Sequence, residues 1–243
     1  MRKYKNIGKK FNKNDVEKNY HKLNEFAFKT GLYLDINPDT SLRAKETLKL
    51  LLYYFSKFKI DKPISVADFG SGDGRIDFGL GIYLDNLKRL YVIEINKEAN
   101  KLIEFHMDKY SKQNSLNLSN KIHQIKGDYR DDKILQKILI SEPDGVDIAL
   151  SAYPFEIEEA IKSMDKIIKE DGVVLTFLPF FYGAGDPDKE NLLGKSINSI
   201  LYSHEKVKAK YNLNLNFKAL AYVNYVPYEF IVLTEGKRAK TKI

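Results

Sequence analysis

Ten residues limit what this chain can fold into: Val66-Ala67-Asp68-Phe69-Gly70-Ser71-Gly72-Asp73-Gly74-Arg75. The apolar run from Ile64 to Phe69 carries an acid near its end and is followed by glycines at every second position. Arg75 to Leu84 can then be helical. The pattern is a strand, a tight turn and a helix start. Glycine reaches positive φ without a Cβ clash and lets a ligand approach the main chain. The first amides of the helix have no intrahelical acceptor and point at whatever occupies the turn.

Two phosphate-binding readings of this turn fail on residue identity. A P-loop ends in Gly-Lys-Ser/Thr, whereas Gly74 is followed by Arg75-Ile76. A dinucleotide fingerprint reads G-x-G-x-x-G. Here the spacing is Asp68-x-Gly70-x-Gly72-x-Gly74. An acid ahead of the glycines suits a cationic ligand and repels a pyrophosphate.

Strand and helix signals alternate downstream. Strands are read at Ile64–Phe69, Arg89–Glu94, Ile122–Lys126, Val146–Leu150 and Val173–Phe177. Helices are read at Arg75–Leu84, Lys97–Tyr110, Asp132–Ile140 and Glu156–Lys169. Such alternation implies a parallel sheet covered on both faces, and the strands are short and apolar as that requires. Ligands of an open sheet of this kind bind beyond the carboxyl ends of its strands. Chemistry-bearing residues stand there. Glu94 ends the second strand about twenty residues past Gly74, where a carboxylate can accept both hydroxyls of a ribose. Asp128 and Tyr129 follow the third strand. Ser151, Tyr153 and Glu156 follow the fourth. Each has a plainer reading: Glu94 and Asp128 can serve the helices that follow, and Glu156, Glu158 and Glu159 complement a helix dipole in its first turn.

The turn resembles motif I of the class I S-adenosylmethionine (SAM) methyltransferases, and the resemblance extends over roughly Pro63 to Glu235. It implies an α/β fold, with a seven-stranded, doubly wound, mostly parallel sheet and an antiparallel last strand. That strand belongs to a hairpin-like pair read at Phe217–Tyr225 and Tyr228–Thr234. It also implies that Asp68, Gly70, Ser71, Gly72, Asp73 and Gly74 cradle the methionine end of SAM. Glu94 would hold the ribose, with Ile95 as an apolar wall for the adenine. Asp128 would receive the adenine amino group, with Tyr129 packed on the purine. Relatives that methylate amines often carry a D/N-P-P-Y/F tetrad after the fourth strand. Ser151-Ala152-Tyr153-Pro154 keeps a hydroxyl, an aromatic and one proline but lacks the Asn/Asp and the double proline. This departure speaks against methylation of a base amine. Ser151 and Tyr153 stay near the methyl position, and Glu156 is a candidate to hold or deprotonate an incoming amine.

The sequence Gly-Ser-Gly-Asp-Gly-Arg is similar to protein-lysine methyltransferases of this fold, which leans the acceptor toward a macromolecular amine of protein or nucleic acid. A small-molecule methyltransferase and a non-catalytic SAM-fold subunit remain as alternatives. A nicotinamide-dependent reductase is disfavoured by Asp68 and the glycine spacing.

Ahead of this unit, Asn14–Lys29 and a second stretch holding Leu48, Leu51, Leu52, Tyr54 and Phe55 read as helices. The division is therefore 1–62 for a basic tail and helical extension, 63–235 for the SAM-binding unit, and 236–243 for a basic tail. The extension either shapes the ligand entrance or packs on the sheet edge. The net charge is +7, yet residues 1–13 and 236–243 together hold ten basic residues and no acid. Setting them aside leaves the body of the chain at about −3. The tails suit a nucleic acid or an acidic protein, and equally suit solvated ends. No apolar run can span a bilayer and no apolar core follows the basic N-terminus, so a cytoplasmic protein is expected. With no cysteine, disulfides and thiolate chemistry are excluded. The four histidines lack metal-ligand spacing, and no metal is expected. The segment 183–188, after the fifth strand, reads as a substrate lid or a plain connection.

Overall fold

The computed structural model describes residues 42–57, 62–114, 117–152, 154, 156–181, 189–220, 225–226 and 229–238. The first expected helix, the basic residues 1–13, Tyr153 and the segment 183–188 lie outside these. The elements are α1 (Leu42–Lys57), β1 (Ile64–Phe69), α2 (Arg75–Tyr83), β2 (Leu87–Glu94), α3 (Lys97–Asn114) and β3 (Ile122–Lys126). They continue with α4 (Asp132–Ser141), β4 (Val146–Ala152), α5 (Ile157–Ile167), β5 (Ile168–Phe181) and α6 (Lys189–Tyr211). The chain closes with β6 (Leu215–Leu220), β7 (Tyr225–Val226) and β8 (Glu229–Arg238).

Seven strands form one continuous sheet in the order β3-β2-β1-β4-β5-β8-β6, and the two-residue β7 pairs with β8. Pairings from β3 to β5 are parallel, and β8 runs antiparallel to both β5 and β6. The last strand is antiparallel as expected, but β6 occupies the edge outside it. The strand order reverses between β1 and β4, so the crevice at their carboxyl ends is the topological switch point, where open sheets take ligands.

Every residue of β1 is buried, as a strand covered on both faces must be. One core joins the sheet to α1, α2 and α3 through Leu51, Tyr54, Phe78, Ile103, Phe177 and Leu233. The other joins it to α4, α5 and α6 through Phe69, Ile138, Ile161, Met164, Val174 and Val207. Helix α1 therefore covers a sheet face instead of flanking an edge. Tyr54 Oη, on α1, donates to Glu235 Oε2 on β8 at 2.5 Å.

Several boundaries differ from the sequence reading, and three of them change the sheet. Helix α5 stops at Ile167, because Ile168 pairs with Val146 and already belongs to β5. Strand β5 runs on to Phe181, paired with β8 as far as Glu229. Strand β8 extends to Arg238, so Gly236, Lys237 and Arg238 are sheet residues and only 239–243 are left of the expected basic tail. The Arg238 guanidinium donates to the Asp165 carbonyl at 2.7 Å, which spends that charge inside the fold.

Candidate functional site

The turn after β1 is pinned to the end of β2. The Gly70 and Ser71 amides both donate to the Ile93 carbonyl, at 2.9 and 3.2 Å, and the Gly74 amide donates to the Ser71 carbonyl at 3.1 Å. Ser71 Oγ donates weakly to the Ile93 carbonyl at 3.5 Å. Gly70, Gly72 and Gly74 have φ of 80°, 61° and 77°. The last two differ in surroundings. A Cβ on Gly74 would stand 2.9 Å from the Phe78 ring, whereas one on Gly72 would meet nothing within 4 Å. The turn is thus packed where it joins α2 and open at its middle glycine.

Three groups stand on or just after the strand ends around this turn. Glu94 is buried, and its carboxylate accepts the Gly72 amide at 2.8 Å and the Asn96 amide at 2.7 Å. Ile95 beside it is half exposed. Tyr129, from the segment after β3, lies edge-on to Phe69 at 5.7 Å, with a ring carbon 3.8 Å from where a Gly70 Cβ would be. Burial pushes its phenol up to about 12. The third group is Asp68, only 1% exposed, whose Oδ1 has no hydrogen-bond partner among the described residues. Burial raises its pKa to about 7. A hydrogen bond with Asp77 acts the other way, and the Glu94 charge adds to the rise.

Other expected residues are committed to the protein itself. The Asp73 carboxylate is taken by the Arg75 guanidinium, with Nε at 2.9 and 3.0 Å from its two oxygens. Ser151 is fully buried and its hydroxyl donates to the Phe69 carbonyl at 2.7 Å, tying β4 to β1. Asp128 receives the Arg130 guanidinium on both oxygens, at 2.6 to 2.9 Å. Arg130 also donates to Glu156 Oε2 at 3.2 Å, so one side chain joins the residues after β3 to those before α5.

Sequence reasoning passed over Arg130 and Asp77. The signal for Arg130 was a guanidinium two residues past a candidate ligand acid. For Asp77 it was an acid at the third position of the helix Arg75-Ile76-Asp77-Phe78-Gly79-Leu80, which is otherwise apolar after Arg75. Among the described residues, no cluster of three or more His, Asp or Glu side chains can hold a metal ion, and no helix is long and apolar enough to cross a membrane.

The donors present fit the cationic nucleoside that the sequence resemblance implies. Among the described residues a carboxylate oxygen is left without a partner and no cation acts on it, an open glycine admits close approach, and a buried carboxylate with a half-exposed isoleucine stands at the end of the next strand. Acids outnumber bases at these strand ends, which favours a positively charged ligand.

No family model and no curated protein matches this sequence. Solved structures do. TYW2 of P. horikoshii, in complex with MeSAdo, superposes with a TM-score of 0.50 at 16% identity, over 74% of this chain and 59% of its own. TYW2 of M. jannaschii, in complex with AdoMet, gives 0.50 at 17% identity, over 82% and 78%. This chain thus spans well under two thirds of the first and more than that of the second. These likenesses show a shared α/β fold.

Proposed function

We propose that this protein binds SAM in the crevice above β1 and β2 and transfers its methyl group to an amine of a macromolecular acceptor. The observation that carries the reading is the buried Asp68, one oxygen of which has no partner among the described residues, on the strand that leads into the turn open at Gly72. Bound there, the cofactor supplies an electrophilic methyl on a sulfonium. The work of the protein is then to position and to balance charge. Asp68 accepts the ammonium of the methionine end, and Gly70, Ser71 and Gly72 leave the main chain open to it. The Glu94 carboxylate, fixed by the Gly72 and Asn96 amides, accepts a ribose hydroxyl. Ile95 and Tyr129 flank the adenine, and Asp128, oriented by Arg130, accepts its amino group. Ser151, through Phe69, fixes the spacing of the two strand ends. Glu156 and Tyr153 are assigned to the acceptor, where a carboxylate favours loss of the proton that an amine must shed before it attacks. The basic residues at both ends of the chain supply contact with an acidic macromolecule, in the cytoplasm.

Calorimetric titration with S-adenosylhomocysteine tests the cofactor site: wild type binds, and Asp68→Ala loses at least tenfold in affinity. Equal affinity in the two proteins would remove Asp68 from the site. Incubation with methyl-labelled SAM and fractionated lysate tests the acceptor. Label in protein or nucleic acid supports the reading, label confined to small molecules replaces the acceptor class, and binding without transfer makes the chain a non-catalytic subunit.

A further inference from the structure

Asp77 sits on the first turn of α2, beneath the glycine turn, with no exposed surface at all. Neither of its carboxylate oxygens finds a hydrogen-bond donor among the described residues. Its interaction is with Asp68 across the start of α2, a hydrogen bond between two carboxyl groups. Two carboxylates accept and cannot donate, so that contact requires a proton between them. Among the described residues, no cation acts on the pair instead. The other charges acting on the pair are Asp73 and Glu94, both acidic. Arg75, the nearest guanidinium in sequence, is held by Asp73. From α3, His106 lies with Nδ1 3.5 Å from the Asp73 carbonyl, and burial lowers its pKa. From α1, the apolar side chain of Leu48 packs on Gly79 of α2. Burial of an uncompensated charge is far costlier than burial of a neutral acid.

The two acids are not equivalent. Among the described residues only Oδ1 of Asp68 is buried without a partner, whereas both oxygens of Asp77 are, and the charges of Asp68 and Asp73 both act on Asp77. The proton therefore belongs on Asp77.

We propose that Asp77 is a positioning residue that works as a neutral carboxylic acid: its O–H donates to the Asp68 carboxylate and so holds that carboxylate as the acceptor for the ligand's ammonium. This deepens the SAM reading and rests on it. Asp77 orients the acceptor, shares the spread of its charge, and adds no second negative charge to the site. A carboxylic acid held neutral by an apolar site so that it can donate is a known device. The balance is simple. When Asp68 is ionised, the ammonium joins it with no proton exchanged. At lower pH Asp68 carries a proton of its own, and binding sends that proton to water while Asp77 keeps its own.

The experiment pairs Asp77→Asn, whose amide keeps a donor, with Asp77→Leu, which has none. Affinity for S-adenosylhomocysteine is measured from pH 6 to pH 7.5, and carboxyl carbon resonances of the ligand-free protein are titrated by NMR. In wild type, affinity rises roughly eightfold over this range, as an acceptor titrating near neutrality dictates. Asp77→Asn stays within about threefold of wild type and keeps the pH profile, because a neutral donor is preserved. Asp77→Leu loses about tenfold or more at pH 7, and its profile moves to higher pH, because the ionised form of Asp68 has lost its donor. The NMR titration shows one aspartate changing near neutrality and one still protonated above it. Loss in Asp77→Asn as large as in Asp77→Leu would mean that Asp77 acts as an anion, and would overturn the proposal. Unchanged affinity and profile in Asp77→Leu would overturn it as well. If Asp77→Leu does not fold, Asp77→Asn and the carboxyl titration decide. If wild type binds no ligand, the SAM reading fails, while the titration still shows whether Asp77 holds its proton beside Asp68.

Discussion

Glu94 closes the carboxyl end of β2 by accepting two main-chain amides, Gly72 at 2.8 Å and Asn96 at 2.7 Å. Its role in shaping the turn precedes any role toward a ligand. Glu94→Ala leaves both amides without an acceptor and costs about 1–3 kcal/mol of stability, read by urea unfolding, together with loss of S-adenosylhomocysteine binding. Glu94→Gln keeps an acceptor for only one amide and falls between the two. The glycines separate the same two roles. Gly74→Ala meets positive φ and the Phe78 ring at 2.9 Å, and is expected to lower stability by about 1–3 kcal/mol. Gly72→Ala meets positive φ alone, so its stability loss is the smaller, about 1 kcal/mol, while its methyl group fills the opening and weakens binding. Denaturation midpoints for the two variants, set beside their affinities, check this ordering.

At the scale of elements, the ladder between β5 and β8 outruns the rest of the sheet. Strand β4 ends at Ala152 opposite Phe177, but β5 stays paired with β8 out to Phe181 and Glu229. Beyond Phe177 it is therefore a ribbon with one neighbouring strand fewer. Amide hydrogen exchange is expected to be slower at Val174–Phe177 than at Leu178, Phe180 and Phe181, since local opening follows contact density. Equal protection along β5 would contradict this. Helix α1 is tied to the same ladder by the Tyr54–Glu235 hydrogen bond, with Lys218 Nζ 2.8 Å from the other oxygen of that carboxylate. Tyr54→Phe removes a buried donor to a charged acceptor and is expected to cost about 1–3 kcal/mol, seen as a lower thermal midpoint. The early end of α5 was not legible because Ile167-Ile168 continues a helical apolar spacing. Only the pairing of Val146 with Ile168, and the bulge that brings Lys169 Nζ within 2.9 Å of Asp147, show the strand starting there.

For the whole molecule, the two ends of the sheet respond oppositely to pH. At the end away from the candidate site, burial alone would raise the Asp147 pKa, but the Ser65 amide and the Lys169 ammonium outweigh it and hold the group below its ordinary value. A depressed carboxylate stabilises the fold above its unfolded pKa and loses that contribution as pH falls through its folded value. The stability deficit of Asp147→Asn against wild type is therefore full at neutral pH and shrinks below about pH 4, as thermal melts across that range will show. Asp68 and Asp77 are raised by burial, so the fold is favoured at low pH and loses that contribution as pH rises through the folded values. A cationic ligand opposes this loss at the site alone, so its thermal stabilisation grows from pH 6 to pH 7.5.

The parallel core, the glycine turn with its positive φ angles and the positions of Glu94 and Asp128 at strand ends were all legible in the sequence. They depend on residues near one another in the chain, on apolar runs and on the spacing of glycines. The burial of Asp68 against Asp77, the commitment of Ser151 to Phe69, the Arg130 link from Asp128 to Glu156 and the course of β8 through Arg238 were decided by tertiary structure. Each joins segments whose meeting depends on strand order and helix placement, and no local pattern in the chain encodes that distance.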